Sequence, residues 1–426
     1  GDVPTAILMN DIAGAILNAV GEQRDEFLGF LEELVVHESP SLVPEAQEPI
    51  FELIGEALDE IGYEIRRIPG NESGGQLLAA PSGRDFGGVD LTASTPDSVS
   101  LSPVQLLIGH CDTVWPIGTL KKMPVRIDDS IMRGPGVFDM KAGLAQTIFA
   151  LQALHRLDLE PALLPLVFIN SDEEIGSNES SANIVRLAQF ASRVFVMEPA
   201  LGLSGKLKTG RKGVSQFVVN VTGKAAHAGL DPEAGASAIL ELSHQIQRLF
   251  DLNDPLRGVS VNVGIIGGGL RPNVIAPESQ AIVDVRVPDS IEAERITAAI
   301  HGLEPATTGV SLKVEKSLER APLERTPRNQ ALWQLALEAA RDLDLEIEQG
   351  VAGGGSDGNL TSPFAATLDG LGAVGDGAHA NHECINVAKS VERCALLAML
   401  IMAESPTSGG KDAPDSPERK EPDSGS

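Results

Sequence analysis

Apolar positions along the chain switch between two periods. A helical spacing runs through residues 6–20, 26–36 and 50–61, and residues 63–68 then read as a strand. Short, almost wholly apolar runs follow at 105–109, 163–169 and 193–197, with helical segments at 141–157 and 182–190. Strands alternating with helices, each run followed by a polar loop, predict an α/β layer whose ligands bind beyond the carboxyl ends of the strands. From residue 214 the style changes to strand 215–222, helix 235–250, strands 259–266 and 279–287, helix 291–301 and strand 310–316. That order predicts a split βαβ sandwich. Helix 328–343 and the glycine-rich run after it resume the first style, so the small domain is inserted within the larger one. The expected division is a large domain in two parts, 1–212 and 324–403, an inserted domain over 213–323, and a tail over 404–426. Residues 70–102, rich in Gly, Ser and Asp, and the tail are expected to lack regular structure.

Composition narrows the functional classes. A chain of 426 residues with 42% apolar content is folded and long enough for two domains. A formal charge of −27 argues against nucleic acid, because phosphate binding needs a basic face. Cys111, Cys384 and Cys394 are odd in number and form no CxxC pair, so reduced thiols are expected. No apolar run reaches the roughly 18–20 residues of a membrane span. The 6–20 stretch carries Asn10 and Asp11 and lacks a basic start, which fits an amphipathic helix. A cytoplasmic location is expected, with a periplasmic or secreted one the alternative if a leader preceded Gly1.

Candidate chemistry gathers at the ends of the apolar runs. His110 and Asp112 are two apart at a strand end and point the same way, so the carboxylate can orient an imidazole that binds metal. A lone pair of this kind also fits an ordinary core or surface role. Asp139 follows the turn-forming Gly134-Pro135-Gly136 and precedes a helix, a setting that aims a carboxylate into a cleft or simply caps the helix. Asp172, Glu173 and Glu174 follow one buried-looking strand and Glu198 another. Acids there are costly unless paired or on metal. His379 and His382 supply a second imidazole source. Two histidines and three carboxylates suit zinc. Asp139, Glu174 and Glu198 carry three negative charges, and a bridging hydroxide would bring the set into balance with two divalent ions.

In order and spacing, GHCDTV (109–114), GPGVFDMK (134–141), SDEEIGS (171–177), MEP (197–199) and GAHANHE (377–383) resemble the co-catalytic zinc family of glutamate carboxypeptidases, aminoacylases, peptidase T and succinyl-diaminopimelate desuccinylase. The resemblance spans residues 26–402. It implies an α/β, zinc-exopeptidase-like catalytic domain with helices around a mixed sheet, plus an inserted ferredoxin-like lid through which the chain forms a homodimer. It implies two Zn2+ per chain, with Co2+ or Mn2+ as substitutes: Asp139 bridges them, His110 and Glu198 complete one, and Glu174 and His379 complete the other. Glu173 is implied as general base, Asp112 as the residue that orients His110, and the His-x-x-x-Glu spacing selects His379 over His382.

Within the inserted domain, GKAAHAG (223–229) resembles the motif whose histidine, here His227, reaches the partner's active site and stabilises the oxyanion. Asn273 and Arg286 match substrate-holding positions; Arg286 is the candidate for a terminal carboxylate, against an ordinary strand ion pair. VAGGGSDG (351–358) lacks the Gly-Lys-Ser/Thr ending of a phosphate loop and resembles the GGGTD segment of carboxypeptidase G-type enzymes, where the backbone of Gly354 and Gly355 approaches substrate. Cys111 alternates away from His110, so core packing is expected for it. The expected function is release of a C-terminal amino acid, glutamate foremost, from a small peptide or N-acyl amino acid. An N-acyl-amino-acid amidohydrolase or dipeptidase of the same fold is the alternative. A catalytically dead binding relative is disfavoured because every implied ligand, Glu173 and His227 are present.

Overall fold

The computed structural model describes residues 5–83, 103–128 and 130–404, with side chains of the first helix described from residue 11. Helices α1 (Thr5–Glu22), α2 (Arg24–Val36) and α3 (Pro44–Asp59) lead into strands β1 (Tyr63–Ile68), β2 (Gln76–Pro81) and β3 (Val104–His110). The short β4 (Arg126–Asp128) and β5 (Ile131–Arg133) precede α4 (Ala142–Arg156), β6 (Leu164–Asn170), α5 (Ser181–Phe190), β7 (Ala191–Val196) and β8 (Leu207–Arg211). A second set follows: β9 (Gly213–Thr222), α6 (Ala238–Phe250), β10 (Ser260–Gly268), β11 (Glu278–Val287), α7 (Ser290–His301) and β12 (Ser311–Arg320). The chain closes with α8 (Pro327–Asp342), β13 (Gln349–Ala352), α9 (Gly358–Thr361), β14 (Ala366–Leu368), β15 (Gly375–Asp376), β16 (Cys384–Asn386) and α10 (Val387–Met402).

Six strands form a mixed sheet in the order β1-β2-β6-β3-β7-β14, parallel from β6 to β14. Every residue of β3 and β6 is buried, as expected of central parallel strands covered on both faces. One apolar cluster packs α1 to α4 and α10 over one face, with Phe27, Phe51, Leu144 and Leu397 at its heart. A smaller cluster packs Ile184 and Leu187 of α5 against Phe168 and Val194 on the other face. Cys111 lies in the first cluster, fully buried, as its strand phase predicts.

The expectation that residues 70–102 lack structure is corrected in part. Residues 76–81 are β2, paired antiparallel with both β1 and β6. The run Leu77-Leu78-Ala79-Ala80 is buried on both faces and so shows no alternation, and its Gly and Pro neighbours mask it in a local reading. Residues 84–102 and the tail beyond Glu404 lie outside the described residues.

The second set forms its own four-stranded sheet, ordered β10-β11-β9-β12 and antiparallel throughout. Burial alternates strictly along β11, so one face carries α6 and α7 while the other faces outward. Ser237 and Asp289 accept the N-terminal amides of Leu240 and Glu292 and so start the two helices.

Helix α4 runs unusually close to the end of β7. A Cβ added to Gly143 would lie 2.0 Å from the Met197 carbonyl oxygen. Gly143→Ala is therefore expected to destabilise the fold by about 1–3 kcal/mol, read as a lower urea midpoint. An unchanged midpoint would mean that the helix backs away from the sheet at no cost.

Candidate metal centre

The parallel strands deliver the site at their carboxyl ends, where open α/β sheets bind ligands. His110 is the last residue of β3. Asn170 ends β6, and a single 3₁₀ turn, Glu173–Ile175, follows almost at once. Glu198 stands two residues beyond β7. Asp139 lies in an irregular turn entered through Gly136 at φ 74° and leading into α4. His379 arrives from the loop after β15 with φ 60°, a backbone state uncommon for a residue with a side chain.

Two imidazoles are bracketed by carboxylates. His110 Nε2 lies 3.4 Å from Asp139 Oδ1, 3.3 Å from Glu198 Oε1 and 3.9 Å from Glu173 Oε2. His379 Nε2 lies 3.3 Å from Asp139 Oδ2 and 3.2 Å from Glu174 Oε2. Asp139 thus turns one oxygen toward each ring. His382 instead faces Asp376 at 3.6 Å and is largely exposed. The residues flank a cleft of about 520 Å3 that also touches Lys208, Arg211 and Gly355.

A second layer holds these groups still. His110 Nδ1 meets the backbone oxygen of Asp112 at 3.0 Å and its carboxylate at 3.3 Å. The same carboxylate accepts the backbone amides of Glu173 and Glu174, at 3.3 and 3.1 Å, and the Ser41 hydroxyl at 2.7 Å. Asp112 therefore ties the turn bearing both glutamates to the strand bearing His110. Glu383, fully buried, accepts the amides of Gly136, Phe138 and Asp139 at 2.9–3.0 Å and the Trp115 indole at 2.7 Å. Its carboxylate shapes the turn that presents Asp139.

The electrostatics are those of crowded acids. Burial, helped by the charge of Glu198, pushes the Glu173 carboxyl well above the usual carboxylate range. Burial also raises Glu174, against its hydrogen bond to His379. Burial disfavours the His110 cation, but Asp112 on one ring nitrogen and the nearby carboxylates of Asp139 and Glu198 on the other outweigh it and hold the ring's pKa well above 6.5. Hydrogen bonds to Asp139 and Glu174 raise His379 to about 10. Burial opposes ionisation of Asp139, yet the two imidazoles overcome it and keep that carboxyl far below its usual range.

Positive charge is thus what this cavity demands, and its buried atoms are arranged to receive it. His110 Nε2 and Asp139 Oδ1 are buried with no hydrogen-bond partner in the protein. Such orphans are costly unless something binds them. Ligand atoms of His110, Glu173 and Glu198, and of His110, Asp139 and Glu174, lie mutually within 4.8 Å. Imidazole and carboxylate donors are the set that zinc and related divalent ions take.

Residues 106–403 match the sequence pattern of peptidase family M20/M25/M40. The chain belongs to that family. M20 peptidases are metal-dependent hydrolases of peptide bonds, and the chain is therefore a hydrolase of that class. It is 28% identical to carboxypeptidase G2 of Pseudomonas sp. (strain RS-16) over 302 residues, covering 70% of this chain and 73% of that one. In fold it is similar to aminopeptidase PepT from Bacillus cereus, with a TM-score of 0.69 at 18% identity over 89% of this chain and 98% of the other. It is likewise similar to the M20 metallo-carboxypeptidase Sso-CP2 from Sulfolobus solfataricus, with a TM-score of 0.63 at 16% identity over 88% and 98% of the two chains.

Not all residues singled out in this M20 sequence meet at the cleft. His227 and Asn273 lie together on the second sheet's loops, where Ala228 donates its amide to the Asn273 carbonyl at 3.0 Å, and neither lines the cleft. Arg286 is held bidentately by Asp284, at 2.8 and 3.1 Å, the strand ion pair that was the alternative for it. Gly354 and Gly355 turn their carbonyls to Arg211 at 3.0 and 3.3 Å. Lys208, Arg211 and Asp369 escaped the sequence reading because no motif marks them. Asp357 was passed over inside a glycine run, yet it accepts from Asn170 at 2.6 Å and Ser177 at 2.5 Å.

Glu383 is the most testable of the supports. Glu383→Ala is expected to weaken metal binding about 10–100-fold, measured by chelator competition, with Glu383→Gln intermediate. Equal affinity in the alanine variant would mean that the Asp139 turn holds itself.

Proposed function

We propose that this M20 hydrolase is a two-metal carboxypeptidase that cleaves the amide bond next to a free carboxylate and releases a C-terminal amino acid, glutamate foremost. The observation that carries the reading is Asp139 turning one oxygen toward each imidazole, the disposition of a carboxylate shared by two ions. In this assignment His110 and Glu198 complete one zinc site, and Glu174 and His379 the other. Bound ions would acidify a water molecule and polarise the scissile carbonyl. Glu173 takes up the water's proton and returns it to the leaving amine. Its buried carboxyl, held well above the usual carboxylate range, suits that exchange. Distance alone does not separate Glu173 from the ligands, since it approaches His110 as well. Glu174 faces His379 directly at 3.2 Å, which in this reading leaves Glu173, 3.9 Å from Arg320, to handle the proton.

The second sheet acts as lid and dimerisation domain in this reading. His227 Nδ1 accepts the amides of Gly229 and Leu230, at 3.1 and 3.2 Å, which leaves the proton on Nε2 as an outward-facing donor. That donor is outside its own cleft, which fits action on the oxyanion in a partner subunit. The outer edge of β10 presents Ile265 and Ile266, 61% and 62% exposed, as a surface for the second copy. For the substrate's terminal carboxylate, Arg320 beside Glu173 is better placed than Arg286, which Asp284 already neutralises. That engagement of Arg286 also keeps a second reading in view, an N-acyl-amino-acid amidohydrolase or dipeptidase working with the same centre.

Glu173→Ala is expected to keep its metal content while losing most turnover, whereas Asp139→Ala loses metal as well; zinc loss in the Glu173 variant would overturn the division of roles. N-acyl amino acids with free and amidated carboxyl ends separate the two readings, since amidation is expected to abolish turnover by a carboxypeptidase. Mixing Glu173→Ala with His227→Ala chains is expected to restore part of the activity if the lid histidine works across a dimer, and no recovery would confine it to its own subunit.

A further inference from the structure

The cleft beside the acids has two cations on its wall, both contributed by β8, and they differ in one respect. Arg211 is fully engaged: its Nε lies 2.6 Å from Asp369 Oδ2, its Nη1 donates to the carbonyls of Gly354 and Gly355, and its Nη2 stands 3.8 Å from Glu198. Lys208 is not. The residue is only 9% exposed, yet among the described residues its ammonium has no hydrogen bond and no ion pair.

This is a built position and not a loosely held surface lysine. Lys208 donates its backbone amide to the Asp369 carbonyl at 2.8 Å and accepts the amide of Asp369 at 3.3 Å. The aliphatic stem lies over Gly370, whose φ of +74° favours glycine and where an added Cβ would come within 3.0 Å of Lys208 Cγ. Burial, with the charge of Arg211 adding to it, holds the ammonium's pKa down to about 8, so it remains largely protonated at pH 7. Asp369, Glu198 and Asp139 favour its charge from a distance, but among the described residues none of them is within ion-pair range of it, and Asp139 and Glu198 face the imidazoles more closely. The stem is buried while the ammonium sits on the cleft wall without a partner, placed to pair with an anionic ligand.

We infer that Lys208 is a specificity-determining residue that pairs with a side-chain carboxylate on the residue released, separate from that residue's terminal carboxylate. The inference rests on the carboxypeptidase reading, in which the residue released lies in the cleft beside the acids, within reach of β8. The substrate class is then N-acyl or peptidyl amino acids ending in glutamate or aspartate.

Metal-loaded wild type, Lys208→Met and Lys208→Arg are compared on N-acyl-glutamate, N-acyl-glutamine and N-acyl-leucine. The wild type is expected to prefer glutamate over its isosteric amide by about tenfold or more in kcat/KM. Lys208→Met is expected to lose that preference, chiefly through KM, while glutamine and leucine substrates change by no more than about threefold, and Lys208→Arg is expected to keep part of it. Equal losses on all three substrates, or an unchanged glutamate-to-glutamine ratio, would overturn the assignment. Absence of turnover on every substrate would instead sink the carboxypeptidase reading. Calorimetric binding of free glutamate against glutamine to wild type and Lys208→Met then still decides the role of Lys208, with equal affinities rejecting it.

Discussion

Four carboxylates, Asp139, Glu173, Glu174 and Glu198, converge on two imidazoles, one fully buried and one half exposed, and their mutual repulsion is the constraint to which the surrounding structure answers. Left alone, such a cluster would take up protons or pull the strand ends apart. The raised pKa values of Glu173, His110 and His379 are the same demand for positive charge expressed through protons. A divalent ion meets that demand more completely than a proton, because it brings two charges to the same donors. The second layer matters for the same reason. Asp112 and Glu383 are themselves acids placed in the interior, and each is made tolerable by the backbone amides it collects from the segments carrying the other acids.

Much of this was legible in the chain because strand ends announce themselves. A run such as Leu164–Asn170, apolar throughout and then abruptly acidic, has few explanations other than a strand terminating at a polar site. The βαββαβ order of the second sheet was equally readable, since β9, β11 and β12 are long and α6 has a clear apolar stripe. The family resemblance, through its His-x-x-x-Glu spacing, selects His379 over His382, and His379 is the ring that lies beside Asp139 and Glu174.

What escaped was of a different kind. Strand β2 is short and buried on both faces, so it carries no period. Glu383 caps a turn from the far end of the chain, and Arg211 joins Asp369 across a comparable interval; no local pattern encodes either pairing. Arg286 is a different case: its sequence offered both a substrate-holding role and a strand ion pair, and Asp284, two residues away on the same face of β11, forms that pair because a strand's period of two brings such neighbours together. The pairing was visible in principle from three residues of sequence.

The order in which the chain is laid down has a consequence of its own. The wall of the cleft is assembled from two separate stretches of the polypeptide: β8 pairs with β13 and β7 with β14, while β9 to β12 lie between them in sequence. On the ribosome the second sheet, continuous in the chain, emerges whole while the mixed sheet still lacks its edge strand and α10. Pairings so distant in sequence close late, since the entropy of the intervening loop must be overcome first. Until they close, His379 and Glu383 are missing and the acids of the first part stay open to water. The cleft that gathers these acids and imidazoles is therefore complete only once the last quarter of the chain has joined the strands laid down before the second sheet.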